Sequence, residues 1–281
     1  MMKQPNPPIT KRSVAETYQH RPRVWIYSGM IVAILIGAFL YSVISMDLQF
    51  QQRDVWDLFV RMFRGLLQPN VDFLLGRGEF FSGENGVPYL IMQTFAIAFI
   101  GTTIASILGI PIAFLTARNV SGKVGSKIGE VLLILIRTFP EILMALILVR
   151  VTGFGAITGI VVIGIHSIGM VGKLFAESIE NMDRGPLEAL DAVGANTMQK
   201  IRYGILPQVL PEFMSIALYR LDINIRSATV LGVVSAGGIG ANLIFATTYW
   251  NWGDLSSILI AIIIMITVVD TVSSRLRKKL I

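Results

Sequence analysis

The sequence predicts an all-α membrane protein with about six transmembrane helices and both termini in the cytoplasm. Three observations carry that expectation. Of the 281 residues, 53% are hydrophobic and only 15% charged, and the mean hydropathy is +0.66, far from the quarter-charged composition of soluble domains. Apolar runs long enough to cross a bilayer, which takes about 20 residues, recur along the chain. A polar island from Arg184 to Pro211 stands between two of those runs.

Residues 1–23 form a polar, proline-rich head with Lys3, Lys11, Arg12, Arg21 and Arg23 against Glu16 alone. The apolar run at 24–46 exceeds a signal-peptide core and lacks a clear small-residue cleavage site, so it is expected to be a first transmembrane helix. Residues 47–87 return to mixed polarity. There Asp54, Asp57, Arg61 and Arg64 are spaced three and four apart, with Val55, Leu58, Phe59, Met62, Phe63 and Leu66 between them. This is the pattern of an amphipathic helix, lying either at the outer interface or against a partner. Gly76, Gly78, Gly83 and Gly86 mark loop.

A membrane core follows over 88–274, with spans expected at Tyr89–Thr116, Ile128–Val151, Ala156–Leu174, Phe213–Val234 and Ser256–Val272. A polar loop occupies 175–211, and a basic tail ends the chain at 275–281. With the N-terminus inside, the inner segments hold fifteen lysines and arginines and the outer ones only Arg53, Arg61, Arg64 and Arg77. This positive-inside bias places the polar loop in the cytoplasm. It also accounts for the net charge of +6 without nucleic acid as a partner. The absence of cysteine removes disulfides, thiolate zinc sites and thiol catalysis, and His20 and His166 are too few for a histidine metal centre. Neither a catalytic nor a metal-binding residue is expected.

Charges inside the spans call for partners, because each costs about 2.5–3.5 kcal/mol at the bilayer centre. Arg137 and Glu141, four apart around Pro140, are placed on one helix face, as a neutralising pair or as part of a path, and Pro140 is expected to bend the span there as a kink or a hinge. Asp222 is spaced to pair with Arg226. Arg220 then remains uncommitted, attracting anions along a path or snorkelling to the interface. His166 and Lys173 stand alone in sequence, and are expected to be a hydrogen-bonded helix-packing histidine and an interface-anchored lysine. Gly155, Gly159, Gly164, Gly169 and Gly172 suit close helix packing, or dimer contact.

In the polar island, Pro186 opens a helix that Gly194 closes. Asn196 or Thr197 caps a second helix from Met198 to about Ile205, which Pro207 and Pro211 stop or bend. These residues resemble the cytoplasmic motif E-A-A-x(3)-G-x(9)-I-x-L-P of binding-protein-dependent ABC import permeases, matched here by Glu188, Ala189, Gly194, Leu206 and Pro207. Leu190 replaces the second alanine, and Gly204 the isoleucine. Two further stretches, Arg137 to Glu141 and Arg226 to Gly240, resemble phosphonate permeases and, more loosely, methionine permeases. Together the resemblance runs from Tyr89 to the C-terminus.

The resemblance implies a type I importer permease in the bacterial cytoplasmic membrane, carrying a phosphonate or related phosphorus oxyanion. Its implied partners are a second permease copy, two ATP-binding cassette subunits that hold ATP and magnesium, and an extracytoplasmic substrate-binding protein. This chain needs no cofactor and has no GK[ST] phosphate loop of its own. Glu188, Ala189, Gly194, Leu206 and Pro207 would form the ATPase-coupling elbow. Arg137, Glu141, Arg220, Asp222 and Arg226 are path candidates, and Gly237, Gly238 and Gly240 end a helix at an outer gate. The rival readings are a methionine importer, a secondary carrier, and a membrane phosphatase or transferase on anionic lipid, for which His166 lacks a carboxylate neighbour in sequence.

Overall fold

The computed structural model describes residues 24–45, 55–77, 86–234 and 236–280, and every regular element among them is helical. The expected polar head and the loop around Gly78 and Gly83 lie outside the described residues. The first helix, α1 (Val24–Ser45), is a unit by itself, with a mean hydropathy of 2.1 over Ile26–Ser45 and none of it buried. A helix this apolar on all sides requires a lipid environment.

The second unit begins with the amphipathic α2 (Val55–Leu66) and the short α3 (Val71–Leu75), which Asn70 caps through its side chain. Next come α4 (Val87–Thr116), α5 (Arg118–Thr138), α6 (Glu141–Thr152) and α7 (Ala156–Asn181). The polar island folds as α8 (Gly185–Ala192), α9 (Thr197–Gln199) and a π-helical turn, Lys200–Ile205. The chain closes with α10 (Leu206–Gly232), α11 (Ile239–Thr248) and α12 (Trp252–Leu280).

Small residues set the distance between α4 and α7. A Cβ at Gly101 would lie 2.8 Å from Ile163 Cγ2, and one at Gly109 would lie 3.2 Å from Val171 Cγ1. Gly159 and Gly172 meet Ile97 and Leu133 as closely. The close-packing role expected of the α7 glycines therefore holds for Gly159, Gly169 and Gly172, whereas Gly155 faces open space. Lacking a hydrophobic drive between helices in lipid, such approach supplies the van der Waals contact that replaces it.

Three layers of core follow along the bundle. At one end Ala113, Val171, Phe175, Ile179, Ile205 and Phe213 cluster, with the Phe175 and Phe213 rings stacked at 3.9 Å. Ile97, Val162, Ile163, Ile225 and Leu231 fill the middle. At the far end Phe73, Val87, Leu90, Ile239, Leu255 and Ile258 close the core.

Several expected boundaries need correction. Among the described residues four helices, α1, α4, α7 and α12, are long and apolar enough to cross a membrane, or five crossings if α5 and α6 count as one broken span. The expected fifth span, Phe213–Val234, lies in α10, which has the length at 27 residues but carries Arg220, Asp222 and Arg226. The span predicted at Ile128–Val151 bends at Pro140 as expected, but so sharply, by 82° between α5 and α6, that it is two helices. Phe139 is extended (φ −82°, ψ 121°) before Pro140, as expected where a proline ring excludes the α conformation from the residue before it. Arg137 and Glu141 consequently end one helix and begin another, and do not share a face. The second island helix does not stop at Pro207 either, but passes through the π turn into α10. The basic stretch Arg275–Lys279 continues α12 rather than forming a separate tail.

Substituting Gly101→Leu should destabilise the bundle by about 1–3 kcal/mol or more through overpacking. The detergent-purified protein should then unfold at a temperature several degrees lower, and an unchanged midpoint would contradict the close α4–α7 contact.

Candidate functional site

The elbow is built from two capping devices back to back. Helix α8 ends in a Schellman arrangement: Ala195 N–H donates to Leu190 O (2.9 Å), Gly194 N–H to Asp191 O (3.0 Å), and Gly194 takes φ +76°. Two residues later Asn196 and Gln199 form a reciprocal capping box, at 2.9 Å to the Gln199 N–H and 2.8 Å from the Asn196 N–H. Such a box satisfies two orphan donors at once. Lys200 pairs with Asp191 across the turn.

Pro207 lacks an N–H, and in a regular helix its ring would press on the carbonyl four residues back. The π turn just before it absorbs that conflict, and the Gln208 side chain donates to Gly204 O (2.7 Å). Gly204 is itself covered. A Cβ there would come 2.9 Å from Leu187 Cδ2 and 3.0 Å from Leu190 Cδ1. The two departures from the motif thus touch one another: a larger side chain at 190 fills the room that glycine leaves at 204.

Of the elbow residues read from sequence, Glu188, Ala189, Gly194 and Pro207 are exposed and Leu206 is half-buried. Val193, Met198 and Tyr203 add exposed apolar surface that spacing alone did not mark. Behind them Leu187, Ile201, Ile205 and Val209 join the core layer of α4 and α7. The elbow is therefore a rigid extension of the bundle with an exposed, mixed outer surface.

In the middle of the bundle Arg220 is only 4% exposed. It neither snorkels nor stands uncommitted. Its Nε donates to Ser167 Oγ (3.2 Å), one terminal nitrogen faces Met170 Sδ (3.6 Å), and the other lies 3.3 Å from His166 Nδ1. Because a guanidinium only donates, Nδ1 is the acceptor in that contact and the ring proton sits on Nε2. His166 is thus a hydrogen-bonded packing histidine, as expected, with Arg220 as its partner. Asn224 Nδ2 continues the knot to Ser167 Oγ (2.9 Å) and to Thr102 Oγ1 (2.8 Å), which ties α4, α7 and α10 together. Sequence reasoning passed over Thr102 and Ser167, and marked Asn224 only as an interruption of the apolar run. The one available signal was Asn224, a full amide inside an apolar run.

Asp222 and Arg226 pair at 2.5 Å, as their spacing predicts, with the Arg226 side chain half exposed. Arg226 lines a cleft of about 370 Å³ together with Pro140, Glu141, Ile223 and Ser227. Ser227 Oγ donates to Glu141 Oε2 (2.9 Å), while the other carboxylate oxygen, Oε1, is buried with no hydrogen-bond partner among the described residues. The break at Pro140 is what turns Glu141 toward α10. Arg137 instead lies over Gly169 and lines a separate polar cavity between α5 and α7, with Glu130, Lys173, Glu177 and Glu180.

Gly237, Gly238 and Gly240 do not end a helix as expected, since α10 already stops at Gly232. Gly237 and Gly238 adopt φ +80° and +77° in the loop before α11, and Gly240 lies in its first turn. Their backbone is seated tightly: Gly238 N–H donates to Gln93 Oε1 (3.0 Å) and Ile239 N–H to Thr94 Oγ1 (2.8 Å). Close approach, the other half of the expectation, is therefore met.

The model of the family described as "Binding-protein-dependent transport system inner membrane component" matches residues 109–280. The chain is 41% identical over 199 residues to the phosphite transport system permease protein PtxC of Stutzerimonas stutzeri, covering 70% of this chain and 72% of that one. It is 32% identical over 271 residues to the putative phosphite transport system permease protein HtxC of the same organism, covering 95% and 89%. Among solved structures it resembles a chain of the inward-facing MetNI methionine ABC transporter, with a TM-score of 0.62 at 19% identity over 69% of this chain and 96% of that one. That likeness establishes the fold, of the type I importer permease class. The match over most of the bundle, on a helical scaffold with several membrane-crossing helices, identifies this chain as a binding-protein-dependent inner-membrane component: an ABC importer permease of the phosphonate family.

Proposed function

We propose that this chain forms the membrane path of an ATP-driven importer for phosphite, a phosphonate or a related phosphorus oxyanion. The identity to phosphite permeases, 41% over 199 residues, is the observation that carries the choice of cargo. Two copies of the chain enclose the path, an extracytoplasmic binding protein delivers the anion, and two separate ATPase subunits supply the energy. The excess of lysine and arginine in the segments on the elbow side supports a cytoplasmic elbow.

In this reading the ATPase grips the exposed surface around Glu188, Ala189, Val193 and Met198. Closure of the ATPase pair moves the elbow, and the elbow transmits that displacement because it is continuous with α10 through the π turn. The spans then exchange between two packings, open to one side or the other. The cleft at the helix break is the stretch of path with anion-binding chemistry. Arg226 presents a half-exposed guanidinium there, and Asp222 offsets part of its charge. An anion is attracted but not trapped, as conduction requires. Arg220, buried and bonded to α7, holds the helices in register.

Two outcomes follow. Arg226→Gln should reduce cellular uptake of labelled phosphite about tenfold or more, the scale of one charge-assisted hydrogen bond, with normal permease levels in the membrane. Arg220→Ala should instead lower the unfolding temperature and the amount of inserted protein. Normal uptake by Arg226→Gln would remove that residue from the path.

The elbow makes a separate demand. Gly204→Ile should abolish uptake and co-purification of the ATPase by forcing Leu187 and Leu190 aside, and adding Leu190→Ala should restore part of both. A double variant no better than Gly204→Ile would refute the fit between positions 190 and 204.

A further inference from the structure

Helix α2 has no role in the transport reading, yet it is strongly two-faced, with its aromatic and charged residues segregated around the helix. Trp56, Phe59, Val60 and Phe63 fall within about 100° of arc at helical spacing, with Asp57, Arg61 and Arg64 beside them on the opposite flank. The rings are stacked in a row, Trp56 on Phe59 at 5.9 Å and Phe59 on Phe63 at 6.1 Å. All are exposed, Trp56 by 74%. On the polar flank Asp57 and Arg61 face each other at 3.8 Å, both well exposed.

The depth of this helix is fixed by its C-terminal end. Gly65 lies against the Trp252 side chain so closely that a Cβ would have no room. Ser256 Oγ donates to Leu66 O (2.6 Å), Ser257 Oγ to Asn70 O (2.8 Å), and Asn70 N–H to Gly253 O (3.2 Å). Asn70 Nδ2 adds a bond to Asp254 Oδ1 (2.8 Å). All of these partners are in the first turns of α12, which crosses the membrane with a mean hydropathy of 2.5. The same end carries Tyr249, Trp250 and Trp252, the residue types that gather at the boundary between lipid and water. Leu67, Val71 and Leu75 continue the exposed apolar surface past α2.

We infer that α2 lies flat in the lipid headgroup region at the membrane face opposite the elbow, with Trp56, Phe59 and Phe63 dipped into the acyl boundary and Arg61 and Arg64 among the phosphates. The occupant of the aromatic face is the bilayer itself, because that face is continuous with the lipid-facing belt of α12 and is pinned at the level where that belt begins. The helix thereby anchors the strap formed by α2 and α3, whose Phe73 packs with Ile239 and Leu255 in the far core layer. The lipid surface steadies the loop that carries Gly237 and Gly238. None of this depends on the cargo.

The chain has no cysteine, so single spin labels can be placed without background. Full-length permease would be labelled at Phe59→Cys, Phe63→Cys, Asp57→Cys and Arg61→Cys in turn and reconstituted in vesicles of phosphatidylethanolamine and phosphatidylglycerol. Collision with oxygen and with a water-soluble nickel chelate would then be compared. The expected result is a change of sign along the helix, with oxygen dominating at 59 and 63 and nickel at 57 and 61. Nickel dominating at all four sites would overturn the inference and leave the face to a soluble partner such as the binding protein. Protection from both reagents at 59 and 63 would overturn it in favour of a second copy of the chain. Because all four positions are exposed, a label at any one of them leaves the core untouched, and unaltered unfolding of each labelled chain confirms that the scan reports the native helix.

Discussion

An arginine in the middle of a membrane bundle has to find its hydrogen-bond acceptors inside the protein, because hydrocarbon offers none. Arg220 meets that requirement with neutral groups: a serine hydroxyl, an imidazole nitrogen and a thioether, all on α7. No carboxylate is within ion-pair distance of it among the described residues. The charge is spread over acceptors that α7 can supply only in one rotation and at one height. Asn224, one turn further along α10, makes the same demand of Thr102 on α4. Three helices are consequently fixed in register by one polar knot, and the glycine contacts of α4 with α7 can form only in that register.

With the middle of the bundle fixed, its two ends are free to differ. At the elbow end, α10 does not begin at a loop. It is continuous with the π turn, and the elbow shares a core layer with α4 and α7. A displacement of the elbow is therefore a displacement of α10 and of whatever α10 carries. At the far end, α10 stops at Gly232, and a loop with two left-handed glycines is threaded against Gln93 and Thr94 of α4. One helix thus joins the elbow to the glycine loop at the far end. The cleft of Glu141, Arg226 and Ser227 lies on that same helix between them.

Pro140 has the complementary effect on the neighbouring span. By excluding the α conformation from Phe139 it breaks one run of apolar sequence into two helices bent by 82°. A carboxylate that would otherwise have faced Arg137 is delivered to α10 instead. Of its two oxygens, Oε2 is bonded to Ser227 and Oε1 has no partner among the described residues.

Much of the molecule was legible from the chain alone, because the relevant signals are local. Runs of apolar residues marked α1, α4, α7 and α12, since crossing a bilayer sets a minimum length. Pro186, Gly194 and Asn196 marked the elbow, since each acts on its own backbone within one turn, and the four-residue spacing of Asp222 and Arg226 was sufficient to pair them. What the sequence could not determine was which faces meet. Arg137 and Glu141 have the same spacing as the true pair and are parted by a bend whose direction depends on packing. Arg220 finds His166 and Ser167 across more than fifty positions of sequence, and Leu190 meets Gly204 across a turn. Those partnerships depend on the rotation of each helix about its axis, and that rotation is decided only when all the helices pack together.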